Sequence, residues 1–133
     1  MRGSMFLVLL SCAEGPAASP GSDCPKVVAE SDHDVIRSVR SVEPVYVAQT
    51  GKSGVSHRLL GASLLLEPEP GMGAELLQRR IECSHPPASS PLAVSGARAI
   101  VTSASDGFRV AITSEDNDAA AEILRRASVL AHD

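Results

Sequence analysis

The chain has 133 residues and a formal net charge of −4, with 44% hydrophobic and 21% charged residues. These values predict one small globular domain and exclude a disordered acidic tail and a multi-span membrane protein. The acidic balance argues against a nucleic-acid partner, and the scarcity of aromatic residues (2%) argues against sites that stack bases or sugars.

The first twelve residues have the layout of an export signal. Arg2 supplies a positive charge, Met5 to Leu10 form an uninterrupted apolar stretch, and Ser11 and Cys12 follow. The segment Leu9-Leu10-Ser11-Cys12 resembles the lipobox of bacterial lipoproteins, in which the cysteine is acylated and becomes the mature N-terminus.

The resemblance covers these residues only, and it implies a signal sequence over residues 1–11 and lipidation at Cys12. It also implies a lipid-anchored protein of the bacterial cell envelope, with the membrane as a partner through the lipid. The alternatives are secretion after cleavage near Ala13 and a cytosolic chain with an apolar N-terminal strand. Residues 12–25 are rich in Ala, Gly, Pro and Ser, which predicts a flexible spacer.

If Cys12 is acylated, Cys24 and Cys83 remain as an even pair. In an oxidising compartment such a pair suggests a disulfide that closes a loop of about sixty residues and contributes roughly 4 kcal/mol. Two unpaired buried thiols are the alternative. Cys83 and His85, with His57 or His33, are candidate ligands for zinc or copper, but the chain has no C-x-x-C or H-x-x-x-H pair, so surface histidines are the alternative there.

We expect residues 26–133 to form a single domain, best defined over 59–131. At its start, apolar residues recur at helical spacing, although their β-branching opposes a helix, and Pro44 would end it. A strand is predicted at 45–48 and a loop at 50–57. The apolar residues at helical spacing are Val35, Ile36, Val39 and Val42.

The pattern is clearer from Leu59 onward. A leucine-rich strand over 59–67 ends at the prolines of residues 67–71, and a helix follows over 73–84. Three prolines at 86, 87 and 91 predict a loop before a strand over 97–103.

Asp106-Gly107 predicts a hairpin turn into a strand that buries Phe108, Val110 and Ile112 and exposes the alternate residues. Residues 114–118 predict the capped start of a last helix. Its apolar stripe consists of Ala120, Ile123, Leu124, Ala127 and Leu130.

This order predicts an α+β fold with a mainly antiparallel sheet and two helices on one face. From residue 59 onward the order is strand, helix, strand, strand, helix, which matches most of a split β-α-β layout of the ferredoxin-like kind. The strand near residues 45–49 would complete the sheet as an edge.

Three segments contain residues used in catalysis or phosphate binding elsewhere. Gly51-Lys52-Ser53 resembles the end of a phosphate-binding loop, but Tyr46 stands where that loop needs a glycine, so we expect no nucleotide.

Ser31, Asp32, His33 and Asp34 are adjacent, which favours capping or turn chemistry over a catalytic triad. Glu67 and Glu69 could pair as acid and base, although solvated loop carboxylates are the simpler interpretation. We predict no catalytic residues and no cofactor.

The leading hypothesis is a non-enzymatic accessory or interaction module of the envelope. Its partner would be a protein that meets the wet face of the sheet, which includes Arg109 and Thr113, or an exposed edge. The alternatives are a periplasmic metal-binding domain that uses Cys83 and His85, and an enzyme with Asp32, His33 or Glu67 in a polar pocket.

Overall fold

The structure, a computed structural model, describes residues 35–131. These residues form four strands, two helices and one 3₁₀ turn. The strands are β1 (Val39–Gly51), β2 (Gly54–Leu66), β3 (Arg98–Ala104) and β4 (Gly107–Thr113); the helices are α1 (Ala74–Cys83) and α2 (Asn117–Leu130); the 3₁₀ turn is Pro91–Ala93.

The four strands make one antiparallel sheet in the order β1-β2-β4-β3. The predicted α+β class is therefore confirmed. From β2 onward the chain follows the split β-α-β order, with β4 inserted between β2 and β3. The remaining edge, beside β2, is occupied by β1, which precedes that unit in the sequence.

Side chains alternate across the central strands, so each strand has one buried face. Leu64 of β2 pairs with Val110 of β4, and Ala62 pairs with Ile112. All four side chains have no exposed surface. These two rows are therefore the centre of the core. Burial of a large aliphatic side chain such as Leu64 or Ile112 contributes roughly 1.5–3 kcal/mol to stability.

Both helices cover that buried face. α1 contributes Leu77 and Ile81 to the core, and α2 contributes Ala120, Ile123 and Ala127. The start of α2 is capped as predicted, because Asp116 Oδ1 accepts a hydrogen bond from the Asp118 amide at 3.3 Å.

The start of the described chain differs from the prediction. Val39 and Val42 belong to β1 and not to a helix, since β-branched side chains fit a pleated strand better than a helical turn. The predicted loop over 50–57 is also wrong, because Gly51 pairs with Gly54 and only Lys52 and Ser53 form the turn.

The second hairpin turn lies one residue earlier than Asp106-Gly107, where the sequence predicted it. Ser105 and Asp106 form the turn, and Gly107 begins β4.

A β-bulge interrupts the pairing of β1 with β2. Val45 pairs with Gly61 while Tyr46 pairs with Leu59, so Leu60 is an extra residue on β2. Gly61 has φ of +153°, and a Cβ atom placed there would lie 2.0 Å from the Ile112 carbonyl oxygen. Beyond this point β1 and β2 continue as a two-stranded ribbon, because β4 pairs with β2 only from Gly61 to Leu66.

A charged cluster fixes the loop that follows α1 against α2. Glu122 accepts hydrogen bonds from Arg125 and from Arg126, the latter at 2.8 Å. Arg126 also donates to the carbonyl oxygens of Ala88 at 2.7 Å and Ser90 at 3.0 Å. The two arginines therefore act through specific side-chain and backbone partners, and neither lies in the last turn of α2.

Substitution of Gly61 by alanine should destabilise the domain by about 2 kcal/mol or more, because it combines an unfavourable φ with a backbone clash. Gly54→Ala is the matched control, since Gly54 has φ of +113° but no atom lies within 4 Å of the place that the added methyl group would take. That control should cost about 1 kcal/mol. Urea denaturation of both variants measures the difference, and equal losses would contradict this account of the bulge.

The hydrogen bonds from Arg125 and Arg126 lower the pKa of Glu122 from 4.5 to about 2. Because the folded-state pKa is the lower one, this stabilisation is complete above pH 4.5 and is lost as pH falls toward 2. Wild type should therefore exceed Glu122→Gln in stability near neutral pH, and the gap should close in acid. Urea midpoints across pH test this. A stability difference between the two proteins that does not change with pH would contradict the assignment.

Candidate functional site

The face of the sheet that lies opposite the helices is the first candidate site. Three rows of paired residues cross it from β1 through β2 and β4 to β3, and we call these twelve residues the open face. No described helix packs against it. The rows are Ser41-Leu65-Arg109-Thr102, Glu43-Ser63-Ala111-Ile100 and Val45-Gly61-Thr113-Arg98.

Small residues line the middle of the open face. Gly61, Ser63 and Ala111 are neighbours on the two central strands; Gly61 and Ser63 are buried and Ala111 is half-buried, so this strip lies below the longer side chains on either side. On the β3 side, Ile100 is 62% exposed. On the β1 side, Val45 is partly exposed. The result is a shallow strip with an apolar side chain at each flank.

Charges of both signs border this strip. Arg109 donates to Ser63 Oγ at 3.4 Å and lies 3.9 Å from the Glu43 carboxylate. Both charged side chains are about half exposed or more, so this ion pair contributes little to stability. Arg98 has no ion pair among the described residues. Arg109 and Thr113 thus lie on the wet face of the sheet, where the alternation in β4 predicted them.

A cleft of about 330 Å³ is the second candidate site, and it lies at the end of the sheet where β2 finishes and β4 begins. Its floor is apolar and its rim carries two arginines and two glutamates. The floor and rim side chains include Leu66, Met72, Leu77, Phe108, Arg37, Arg80, Glu67 and Glu69.

The cleft brings together the two carboxylates that the sequence singled out. Glu67 and Glu69 both line it, but both are exposed, which is consistent with solvated loop carboxylates. Asp32 and His33, the other residues of that hypothesis, lie outside the described residues. The enzyme hypothesis therefore stays a prediction.

Cys83 is the last residue of α1 and is disulfide-bonded. The two other cysteines of the chain, Cys12 and Cys24, lie outside the described residues, so the pairing of Cys83 with Cys24 stays a prediction. A sulfur in a disulfide is not the thiolate that zinc or copper needs. The metal site at Cys83 and His85 would therefore require reduction first.

The remaining candidate residues are separated in the fold. Lys52 lies at the tip of the β1–β2 hairpin and His57 lies on β2, whereas His85 follows α1. Within residues 35–131, no three His, Cys, Asp or Glu side chains form a group that could hold a metal ion. In the same range, no helix is both long enough and apolar enough to span a bilayer. Ser31 and Asp34 lie outside the described residues.

Comparison with protein-family models, with curated proteins and with solved structures found no match.

Two polar contacts were not predicted from the sequence. Gln78 of α1 exchanges two hydrogen bonds with the backbone of the edge strand β3. Arg58 of β2 donates to the Glu115 carbonyl oxygen at 2.8 Å and pairs with its carboxylate at 3.2 Å. Each joins residues more than twenty positions apart, so only the packing of the elements reveals it.

Proposed function

We propose that this chain is a non-enzymatic interaction module of the bacterial envelope, anchored by acylation of Cys12, and that a protein partner binds the open face. The observation that carries the proposal is the open face itself, a four-stranded surface that neither described helix covers. Most soluble sheets of this type keep one face wet, so the surface is stable without a partner and available to one.

The chemistry of the open face favours a protein partner. Ile100 is an exposed apolar side chain beside a strip of small residues, and Arg109, Arg98 and Glu43 provide charges of both signs at the rim. Apolar side chains beside polar groups of both charge signs are common at protein–protein interfaces. None of the twelve residues is aromatic, which disfavours stacking of bases or sugars.

The disulfide at Cys83 supports the envelope as the compartment. Disulfides persist in the periplasm and at cell surfaces and are rare in the cytosol of mesophiles. If the partner is Cys24, Cys12 remains free for acylation, so the anchor and the bridge are compatible. The residues between Cys12 and Cys24 would then serve as the spacer between lipid and domain.

Mass spectrometry of the mature protein tests the anchor. We expect a polypeptide that begins at acylated Cys12, together with a Cys24–Cys83 disulfide in a non-reducing peptide map. Cys12→Ser should abolish acylation and release the domain from the membrane fraction. Cys24→Ser is the matched control, because it should break the bridge and leave acylation intact. An unprocessed chain, or a bridge between Cys12 and Cys83, would contradict the proposal.

Site-specific photo-crosslinking in cells tests the open face. A photoreactive residue at Thr102 should form an adduct with one protein, whereas the same residue at Arg79, an exposed position on α1, should not. Ala111→Glu places a long charged side chain in the middle of the strip and should reduce the Thr102 adduct at least about tenfold. Circular dichroism checks that this variant is folded. Equal adducts from Thr102 and Arg79, or an adduct insensitive to Ala111→Glu, would contradict binding at this face.

A further inference from the structure

β3 lies at one edge of the sheet and pairs only with β4. In an antiparallel edge strand, alternate residues direct their backbone N–H and C=O groups away from the sheet. The Ala99 carbonyl and the Val101 amide point outward here, because both are bonded by α1 and not by β4. Unpaired groups of this kind are a template for addition of another strand.

The side-chain amide of Gln78 occupies this template. Its Nε2 donates to the Ala99 carbonyl oxygen at 2.8 Å, and its Oε1 accepts from the Val101 amide at 2.6 Å. Nε2 also donates to the carboxylate of Glu82, one helical turn further on, at 3.1 Å, and this bond fixes the orientation of the amide. Gln78 therefore takes the place of a neighbouring strand over two residues of β3.

The same two groups are self-complementary. If a second copy of β3 pairs antiparallel about Ile100, Ala99 of each copy lies opposite Val101 of the other. The Val101 amide of each copy then donates to the Ala99 carbonyl of the other, which are the bonds that Gln78 now makes. Ile100 would lie directly opposite its symmetry mate, and its 62% exposed side chain would gain a close apolar contact.

The other edge of the sheet is less suited to strand addition. Pro44 lies within β1 and has no amide hydrogen, and proline in a sheet normally directs its nitrogen toward the free side of an edge strand. By contrast, residues 99–104 contain no proline, glycine or charged side chain. Of the two edges of the described sheet, β3 is thus the one with no side chain over residues 99–104 that opposes pairing.

We propose that β3 is a strand-addition site for a second copy of this chain, and that Gln78 is the latch that keeps this edge closed. The inference does not depend on the proposed function, because it concerns backbone pairing at the edge of the sheet, although Ile100 and Thr102 of β3 also belong to the open face. It assigns Gln78 a positioning role that the hydrophobic pattern of α1 does not reveal. Displacement of this one side chain would leave the Ala99 carbonyl and the Val101 amide without their present partners.

Gln78→Met tests the latch, because methionine keeps the length and helix propensity of glutamine but cannot donate to the Ala99 carbonyl and is only a weak acceptor for the Val101 amide. The variant should self-associate at least about tenfold more strongly than wild type, as measured by light scattering across a concentration series. Hydrogen exchange at the Val101 amide should be faster than in wild type at low concentration and slower once dimers form. Arg79→Ala, an exposed change on the same helix, should behave as wild type.

Two further variants make the result decisive. Gln78→Ala should give the same self-association if the loss of hydrogen bonds, and not the presence of methionine, is the cause. Gln78→Met combined with Ile100→Lys should stay monomeric, since two lysines would face each other across the pairing axis. A folded Gln78→Met protein that stays monomeric with unchanged exchange at Val101 would overturn the proposal. Self-association that persists in the double variant would do so as well, because it would place the contact elsewhere.

Discussion

The fold depends on the position of β2 at the centre of the described elements. β2 pairs with β1 on one side and β4 on the other, and α2 packs across it. Its Ala62, Leu64 and Leu66 are buried, so this short segment joins every layer of the core. Because side chains alternate, the same segment directs Ser63 and Gly61 toward the opposite surface. The core and the open face are thus two consequences of one strand.

Local patterns in the sequence were sufficient for most of the architecture from residue 59 onward. The alternation of Phe108, Val110 and Ile112 and the helical stripe of the last helix each depend on one element, and both are confirmed. Residues 35–57 were harder, because valines at positions 35, 39 and 42 satisfy a helical spacing while belonging in part to a strand. The strand propensity of β-branched valines outweighs their helical spacing at these positions. The pairing of β1 with β2 then continues well into the predicted loop.

The candidate sites were predictable only in part, for a related reason. Arg109 could be assigned to the wet face because one strand's alternation fixes its direction. The roles of Gln78 and the cleft at Glu67 require knowledge of which helix lies over which strand, and no local signal supplies it. Cys83 is disulfide-bonded, whereas its partner and the lipidation at Cys12 concern residues outside the described range and stay predictions.

The ribbon beyond the bulge gives the domain two levels of local stability. Tyr46 and Val55, which are 55% and 65% exposed, lie on strands that have only each other as sheet partners there. A lone pair of strands is marginal in water, and the bonds from Arg58 to Glu115 tie only its base to the start of α2. The distal hairpin can therefore open as a separate cooperative unit while the four-stranded part stays closed. Such a hairpin can change its conformation while the pairing of the four strands stays the same.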